Sequence, residues 1–454
     1  MEIRTEIVVI GAGLTGLTTA YYLKKQNKRF IVLEKDNRVG GVINSIKENN
    51  FIYEEGPNTG VIGNTTVVEL FDDLSDLCEL EIAADAVNKR YILKNGKWEH
   101  LPLGLFDAIK TPLFTFKDKI RILGEPFRAP GKESHENLSA LVRRRMGESF
   151  LKYTVDPFIL GVYAGDPDYL IPKYALPKLY NLEHDYGSFI GGSIKKGFEK
   201  KTELEKRANR KVFSFKDGLS SLTNALYKSA DENNFILGVT DIKINPTENG
   251  FEIRYNDKTG SEIIIKSNKI ITTVGAYELG AIFPFIEKNI ISKIDSLLYT
   301  KVIEIILGFE QWNGMKLDGF GGLIPFIEKR DLLGILFMSS LFKNRAPSNG
   351  SLLSIFMGGV RRQDMMNYND NEIKKVVEKE SVELLSLKQF NPNMFKIIRH
   401  NKAIPQYGIE SGERFNAVAE IEKKYRGLFI GGNLKGGIGM ADRIKQGKEL
   451  AINI

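Results

Sequence analysis

Four residues near the start of the chain have the types and spacing to hold a dinucleotide. Gly11, Gly13 and Gly16 stand in the run GAGLTG, and Glu34 follows roughly 20 residues later. Gly11 permits a tight turn, Gly13 lets the main chain approach a pyrophosphate, and Gly16 lets a helix close on a strand. Ala12, Leu14 and Thr15 lie between them in the same backbone cradle. A helix that begins here offers free N–H groups and a partial positive charge to phosphate oxygens. The Glu34 carboxylate accepts hydrogen bonds from ribose hydroxyls and repels a 2′-phosphate, which disfavours NADP.

These residues need a strand, a turn, a helix and a second strand, and the flanking sequence supplies them in that order. Residues 7–10 are a continuous apolar run, the pattern of a buried parallel strand. Leu14, Leu17, Ala20, Tyr21 and Leu23 form an apolar helical stripe. Residues 30–33 give the second strand, which ends at Glu34. Lys35, Arg38, Gly40, Gly41 and Val42 follow in EKDNRVGGV. This E-x-x-x-R-x-G-G pattern resembles that of amine-oxidase-like flavoproteins and selects FAD over NAD. The glycine pair lets the chain run under the cofactor phosphates, and Arg38 adds charge. In EEGPNTG, Gly56 and Pro57 fix a bend from which Asn58 and Thr59 face the isoalloxazine ring. Val239 is expected to meet the adenine through its backbone.

A second glycine-rich turn closes the chain, in GGNLKGGIGMADRIKQG at 431–447. Residues 428–431 are expected to finish a strand beside the first one. Gly436, Gly437 and Gly439 let the backbone approach the flavin ring, and Asn433, Ile438 and Met440 share that segment. A helix from about Met440 then points its N-terminus at the ring, where negative charge gathers on reduction. Such a terminus stabilises an anion by about 0.3–2 kcal/mol. The expectation is one FAD gripped by both ends of the chain. It is held non-covalently, because the lone cysteine, Cys78, lies near no flavin motif.

The 454 residues allow two or three domains. A single cysteine excludes an intrachain disulfide, and four scattered histidines give no metal-ligand spacing. The first residues lead straight into a strand and lack the apolar core of a signal peptide. No run of about 18 apolar residues is present, so no transmembrane helix is expected. The net charge of +7 serves solubility or attraction to an acidic partner. The basic run near 195–211 reads as a solvated face or as a contact with a membrane surface.

Periodicity makes 106–194 mostly helical. Residues 235–275 alternate apolar and polar types, with turns at 248–250 and 257–260, as in an antiparallel meander. A second α/β region follows, with strands in KVIEIILGF, GFGGLIP, LGILFMSS and LLSIFMGG, before a closing strand and helix. The expected fold is α/β: a discontinuous Rossmann-like FAD-binding domain (1–85, 208–275 and 425–454), a helical domain (86–207) and a mixed-sheet substrate domain (276–424).

These stretches, with GVYAGDP at 161–167, FSFKDGLSSL at 213–222, LGILFMSSLFKNRAP at 333–347 and AIPQYGIE at 403–410, resemble the FAD-dependent protoporphyrinogen oxidases from end to end. The resemblance implies a helical domain that contacts membranes in some members. It implies six-electron oxidation of protoporphyrinogen IX through the flavin, with oxygen as acceptor and hydrogen peroxide formed, in haem synthesis. It makes Arg90 the partner of a propionate, Leu323 and Phe337 the residues that sandwich a pyrrole, and Gly161, Ala164 and Gly165 close approaches of the ring to backbone. Asn58, where some members carry arginine, joins this substrate set. Arg443 stands where many members carry cysteine, a change expected to touch packing. No catalytic base is identified.

Coproporphyrinogen III is the rival substrate. Its four carboxylates would ask for more cations at the rim, and Lys94, Lys97 and Arg330 are candidates that the sequence does not place. An amine oxidase or desaturase on the same frame, or a flavin-bound porphyrin carrier, are further alternatives. The expected partners are a porphyrinogen and oxygen, with peripheral membrane contact and a homodimer left open, and no nucleic acid. The expected location is cytoplasmic, with the inner membrane face as an alternative.

Overall fold

The computed structural model describes residues 2–102, 105–131, 133 and 135–454. Two seven-stranded sheets organise it. In the first, the order is Phe235–Leu237, Phe30–Glu34, Glu2–Ile10, Glu262–Thr272, Gly250–Asn256 and Thr240–Thr247. The first four of these run parallel, and the last two extend the sheet as an antiparallel meander.

The closing strand, Leu428–Ile430, pairs with Glu262–Thr272 and not with Glu2–Ile10. Sequence alone expected it beside the first strand. The meander explains the difference: Gly250–Asn256 pairs only as far as Ser267. That leaves the edge at Ile270–Thr272 open for Leu428–Ile430. Helices cover both faces of this sheet. Leu17, Leu222 and Ile444 come from three helices on one face, and Leu279, Ile294 and Val418 from three on the other.

The second sheet runs Met394–His400, Val302–Phe309, Ser351–Gly358, Gly334–Leu336, Gly321–Leu323, Arg90–Lys94 and Lys97–His100. Its pairs are antiparallel, except that Gly321–Leu323 lies parallel to Arg90–Lys94. The hairpin at 90–100, which the sequence groups with the helical segment, is therefore an edge of this sheet. One face packs under the Asp370–Leu384 helix through Ile373, Val377 and Leu384. The opposite face looks toward the first lobe and the helical segment.

The helical segment has its own core of Leu138, Leu141, Val142, Ile159 and Phe189. The buried Arg145 guanidinium pairs with the buried Glu125 carboxylate. That carboxylate also accepts from Ser188 Oγ at 2.6 Å and from the Phe189 and Ile190 N–H groups. A buried ion pair needs such extra donors to offset its desolvation.

Candidate active site

The first glycine turn is built to the tolerance of a methyl group. Gly11 has φ +98°, a region that favours glycine. A Cβ on Gly16 would stand 1.9 Å from the Gly11 carbonyl oxygen, so the Leu14–Lys25 helix can close on the strand only with glycine there. Gly13 differs: a Cβ there would meet no protein atom within 4 Å. The space above Gly13 is therefore open, as a diphosphate seat requires.

A second turn backs the first. The Gly40 N–H donates to the Ala12 carbonyl at 2.8 Å, and a Cβ on Gly41 would lie 3.2 Å from Gly13 Cα. Arg38 does not stand free. Its guanidinium donates to the carbonyls of Val39, Gly41 and Ile43 and so braces this turn. The Val42 side chain is exposed, and its carbonyl leaves no room for a Cβ on Gly56, which would approach to 2.2 Å. Pro57 and Thr59 are half-buried beside it. Glu34 is buried, and its carboxylate accepts from the Ala12 N–H at 2.6 Å and the Asp36 N–H at 2.9 Å. Lys35 is ion-paired with Glu278 at 2.9 Å. The Val239 N–H donates to the Glu34 carbonyl at 3.1 Å, which leaves only its own carbonyl for an adenine.

The closing turn comes against this clamp through helix packing. A Cβ on Gly447 would stand 2.7 Å from the Thr15 carbonyl, and Thr19 Oγ1 donates to the Gly447 carbonyl at 3.2 Å. The Met440–Ile452 helix is N-capped by Gly439, whose N–H donates to the Asp442 carboxylate at 3.2 Å. The Asn433 side-chain oxygen accepts from Tyr299 at 3.0 Å. The backbone N–H groups of residues 433–438 have no acceptor among the described residues. A glycine seat open at Gly13, followed by a run of free N–H donors, fits an extended, anion-bearing cofactor such as FAD.

Strand register decides which side chains share a face of the second sheet. Directly opposed residues share a face. Arg90 opposes Gly321, which opposes Leu336, which opposes Ser354. Ile92 opposes Leu323, and the row continues through Gly334 and Phe356 to Glu304. One face thus carries Arg90, Leu323, Leu336, Phe356 and Glu304. Leu323, Leu336 and Phe356 are half-buried. Arg90 has no carboxylate partner among the described residues, and its guanidinium stacks 5.2 Å from the Phe320 ring centroid. Desolvation lowers its pKa, so a carboxylate brought to it would restore stability to the charge.

Phe337 lies on the other face. It is 1% exposed and packs in the sheet core with Ile335 and Ile355. Side chains alternate along a strand, so it is the adjacent Leu336 that shares a face with Arg90 and Leu323. In GVYAGDP, a Cβ on Gly161 would stand 2.2 Å from Leu323 Cδ2, and one on Gly165 would stand 2.2 Å from Gln406 Oε1. Each glycine thus makes room for a neighbouring side chain. Ala164, 4% exposed, ends its helix in the left-handed region with φ 47°.

Asn58 is buried, and its carboxamide is spent inside the protein. It donates to Glu304 Oε1 at 2.6 Å and accepts from Ser354 Oγ at 2.6 Å. Glu304, 1% exposed, also meets His400 Nε2 at 3.2 Å. Burial raises its pKa, against the His400 and Asn58 hydrogen bonds. Of the other cations weighed for the rim, Arg330 is paired with Glu383 and Glu380. Lys94 donates to the Pro112 and Leu113 carbonyls, and Lys97 sits in the hairpin beside it. Sequence reading missed Leu336, Phe356, Phe320 and Glu304. The period-2 pattern of their strands was visible, but which parity faced the site depends on register.

Comparison with known proteins agrees with this architecture. The flavin containing amine oxidoreductase family matches residues 14–436. The mitochondrial protoporphyrinogen oxidase of Nicotiana tabacum is 30% identical over 97% of this chain and 93% of its own. The coproporphyrinogen III oxidase of Bacillus subtilis is 24% identical over 98% of this chain and 97% of its own. In fold, the crystal structure of a protein assigned as a protoporphyrinogen oxidase from Exiguobacterium sp. 255-15 superposes with a TM-score of 0.81. It shares 18% identity over 99% of this chain and 98% of that one. With its two glycine turns and its matched length, the chain belongs to the flavin containing amine oxidoreductases, and within them to the FAD-dependent protoporphyrinogen oxidase family.

Proposed function

We propose that this enzyme oxidises protoporphyrinogen IX to protoporphyrin IX in haem synthesis, with oxygen as the final acceptor and hydrogen peroxide as the second product. Six electrons leave the macrocycle in three two-electron steps, each releasing a hydride from carbon and a proton, so that in all four hydrogens leave the meso carbons and two leave nitrogen. Bound FAD supplies the two-electron acceptor. The protein supplies position: Leu323, Leu336 and Phe356 present apolar surface to a flat macrocycle, and Arg90 takes a propionate at the rim. Orientation of this kind is worth several kcal/mol.

The observation that carries the reading is Arg90, a guanidinium without a carboxylate partner among the described residues, on an apolar sheet face. Coproporphyrinogen III is the second reading, favoured by the Bacillus subtilis relative. The pairing of Arg330 and Lys94 with protein groups supports the substrate with fewer carboxylates. Turnover of each porphyrinogen under oxygen, followed by porphyrin fluorescence and peroxide yield, separates them. Failure to oxidise either one while FAD stays bound overturns the assignment.

Peripheral membrane contact is a further part of the proposal. In the Phe116–Leu123 helix no residue is buried, and Phe116, Ile120 and Leu123 are exposed at i, i+4 and i+7. Phe127 and Phe198 are 92% and 85% exposed nearby, among Lys117, Arg121, Lys195 and Lys196. An apolar stripe flanked by basic residues suits the interface of an anionic bilayer. Among the described residues no helix is long and apolar enough to cross a membrane. Co-sedimentation with anionic vesicles at low salt is expected, and its absence overturns this part.

A further inference from the structure

We propose that Arg443 and Arg414 are positioning residues for the flavin: they turn the closing loop's peptide N–H groups outward and place buried positive charge behind them, favouring electron uptake. The loop's carbonyls show how. Arg443 donates to the Gly432 carbonyl and, at 2.9 Å, to that of Lys435. Tyr407 donates to the Asn433 carbonyl at 2.6 Å and to the Gly437 carbonyl at 3.2 Å. Arg414 donates to the Leu434 carbonyl at 3.1 Å. Four successive carbonyls, 432 to 435, therefore point inward. An extended chain would alternate them. Gly432, Gly436 and Gly437 take φ between +78° and +94° and allow the departure. The N–H groups of 433–438, without acceptors among the described residues, are free to form an anion-binding nest.

The two guanidiniums behind this loop make no direct ion pair. Arg414 is 1% and Arg443 7% exposed, and neither lies within salt-bridge distance of a described carboxylate. Glu410 and Asp442 attract them only through space. Asp442 accepts from the Gly439 N–H, Glu410 from Tyr169, and Glu422 from Lys435 and the Ile430 N–H. Arg443 Nε has no hydrogen-bond partner among the described residues. Burial lowers the pKa of both guanidiniums. Buried charge without a partner is costly, and an electron-rich flavin ring is a group that would offset that cost.

Two equilibria test this without any porphyrinogen. Sulfite adds reversibly to oxidised flavin and leaves negative charge on the ring. In FAD-loaded Arg443→Met, sulfite affinity should fall about tenfold, the order expected for one unit charge at an effective dielectric of about 20. The two-electron midpoint potential should fall by about 30 mV, the equivalent of that factor. Where Arg443→Met does not retain flavin, Arg443→Gln, which keeps a donor toward the loop carbonyls, carries the measurement. Arg443→Lys keeps the charge and should stay within about twofold of the wild type. Wild-type values in the neutral variants overturn the proposal, as does weakened FAD binding with both readouts unchanged. An equal fall in Arg443→Lys would also overturn the charge argument.

Discussion

The Asn58 side-chain amide donates to Glu304 across 2.6 Å, and through this bond the flavin segment of the first lobe is fastened to the middle of the second sheet. Removing Asn58 leaves a buried acceptor without its donor. Asn58→Leu should cost about 1–3 kcal/mol, read as a lower Tm of the FAD-loaded protein. The double change Asn58→Leu with Glu304→Leu should recover part of that loss, because neither partner is then left unsatisfied. A double variant less stable than Asn58→Leu would contradict this pairing.

Gly13 and Gly16 separate cofactor binding from folding. Gly16→Ala drives a methyl group onto the Gly11 carbonyl and should destabilise the flavin-free protein by about 1–3 kcal/mol. Gly13→Ala meets no protein atom within 4 Å. Its flavin-free Tm should match the wild type, while its FAD dissociation constant rises. Parallel melting curves and flavin titrations check both statements.

Arg90 should govern substrate binding and not flavin content. A charge-assisted hydrogen bond contributes about 1.5–3 kcal/mol, so Arg90→Ala should raise KM for the porphyrinogen about ten- to a hundredfold. Arg90→Lys should recover part of it, since lysine lacks the bidentate fork. Steady-state kinetics with bound FAD quantified in each variant test the point, and an unchanged KM would remove Arg90 from the site.

Adjacent residues 336 and 337 should behave oppositely. Phe337→Ala opens a core cavity and should cost about 3–5 kcal/mol of stability. Leu336→Ala, on the site face, should raise KM with a smaller change in Tm. Denaturant unfolding beside kinetics distinguishes the two, and a KM effect confined to Phe337→Ala would reverse the register assignment.

Glu54 makes stability depend on pH. Its carboxyl is buried, and desolvation raises its pKa from 4.5 to about 7, against hydrogen bonds from Ser45 and the Leu219 N–H. Between those values the native state binds more protons than the unfolded state. Stability from this group is therefore full below about 4.5 and declines as pH rises through about 7. Glu54→Gln should abolish that decline. Urea unfolding from pH 4.5 to 8 of both proteins measures it, and parallel profiles would show that Glu54 does not titrate in this window.

The nucleotide clamp was legible because its residues do backbone work. Gly11 and Gly16 are required by a turn and a close approach, and those needs are local in sequence. The substrate face was legible only in type. Apolar alternation in LGILFMSS announces a strand, but which parity faces the site depends on pairing with residues far away in the chain. Leu336 could therefore not be told from Phe337. The glycines of GVYAGDP pose a related problem: a gap that suits a ligand also suits a side chain, and only three dimensions show Leu323 and Gln406 there. The inward donors Tyr407, Arg414 and Arg443 come from separate segments, and nothing in their spacing announces a shared task.

Thr19 and Gly447, joined by a hydrogen bond, are 428 positions apart. At about 5–20 residues per second, a ribosome needs roughly 20–90 s to make the second after the first. Throughout that interval the first glycine turn exists without the helix that closes on it. A chain arrested before that helix should therefore remain colourless. The yellow of bound FAD would report that translation had passed Gly447.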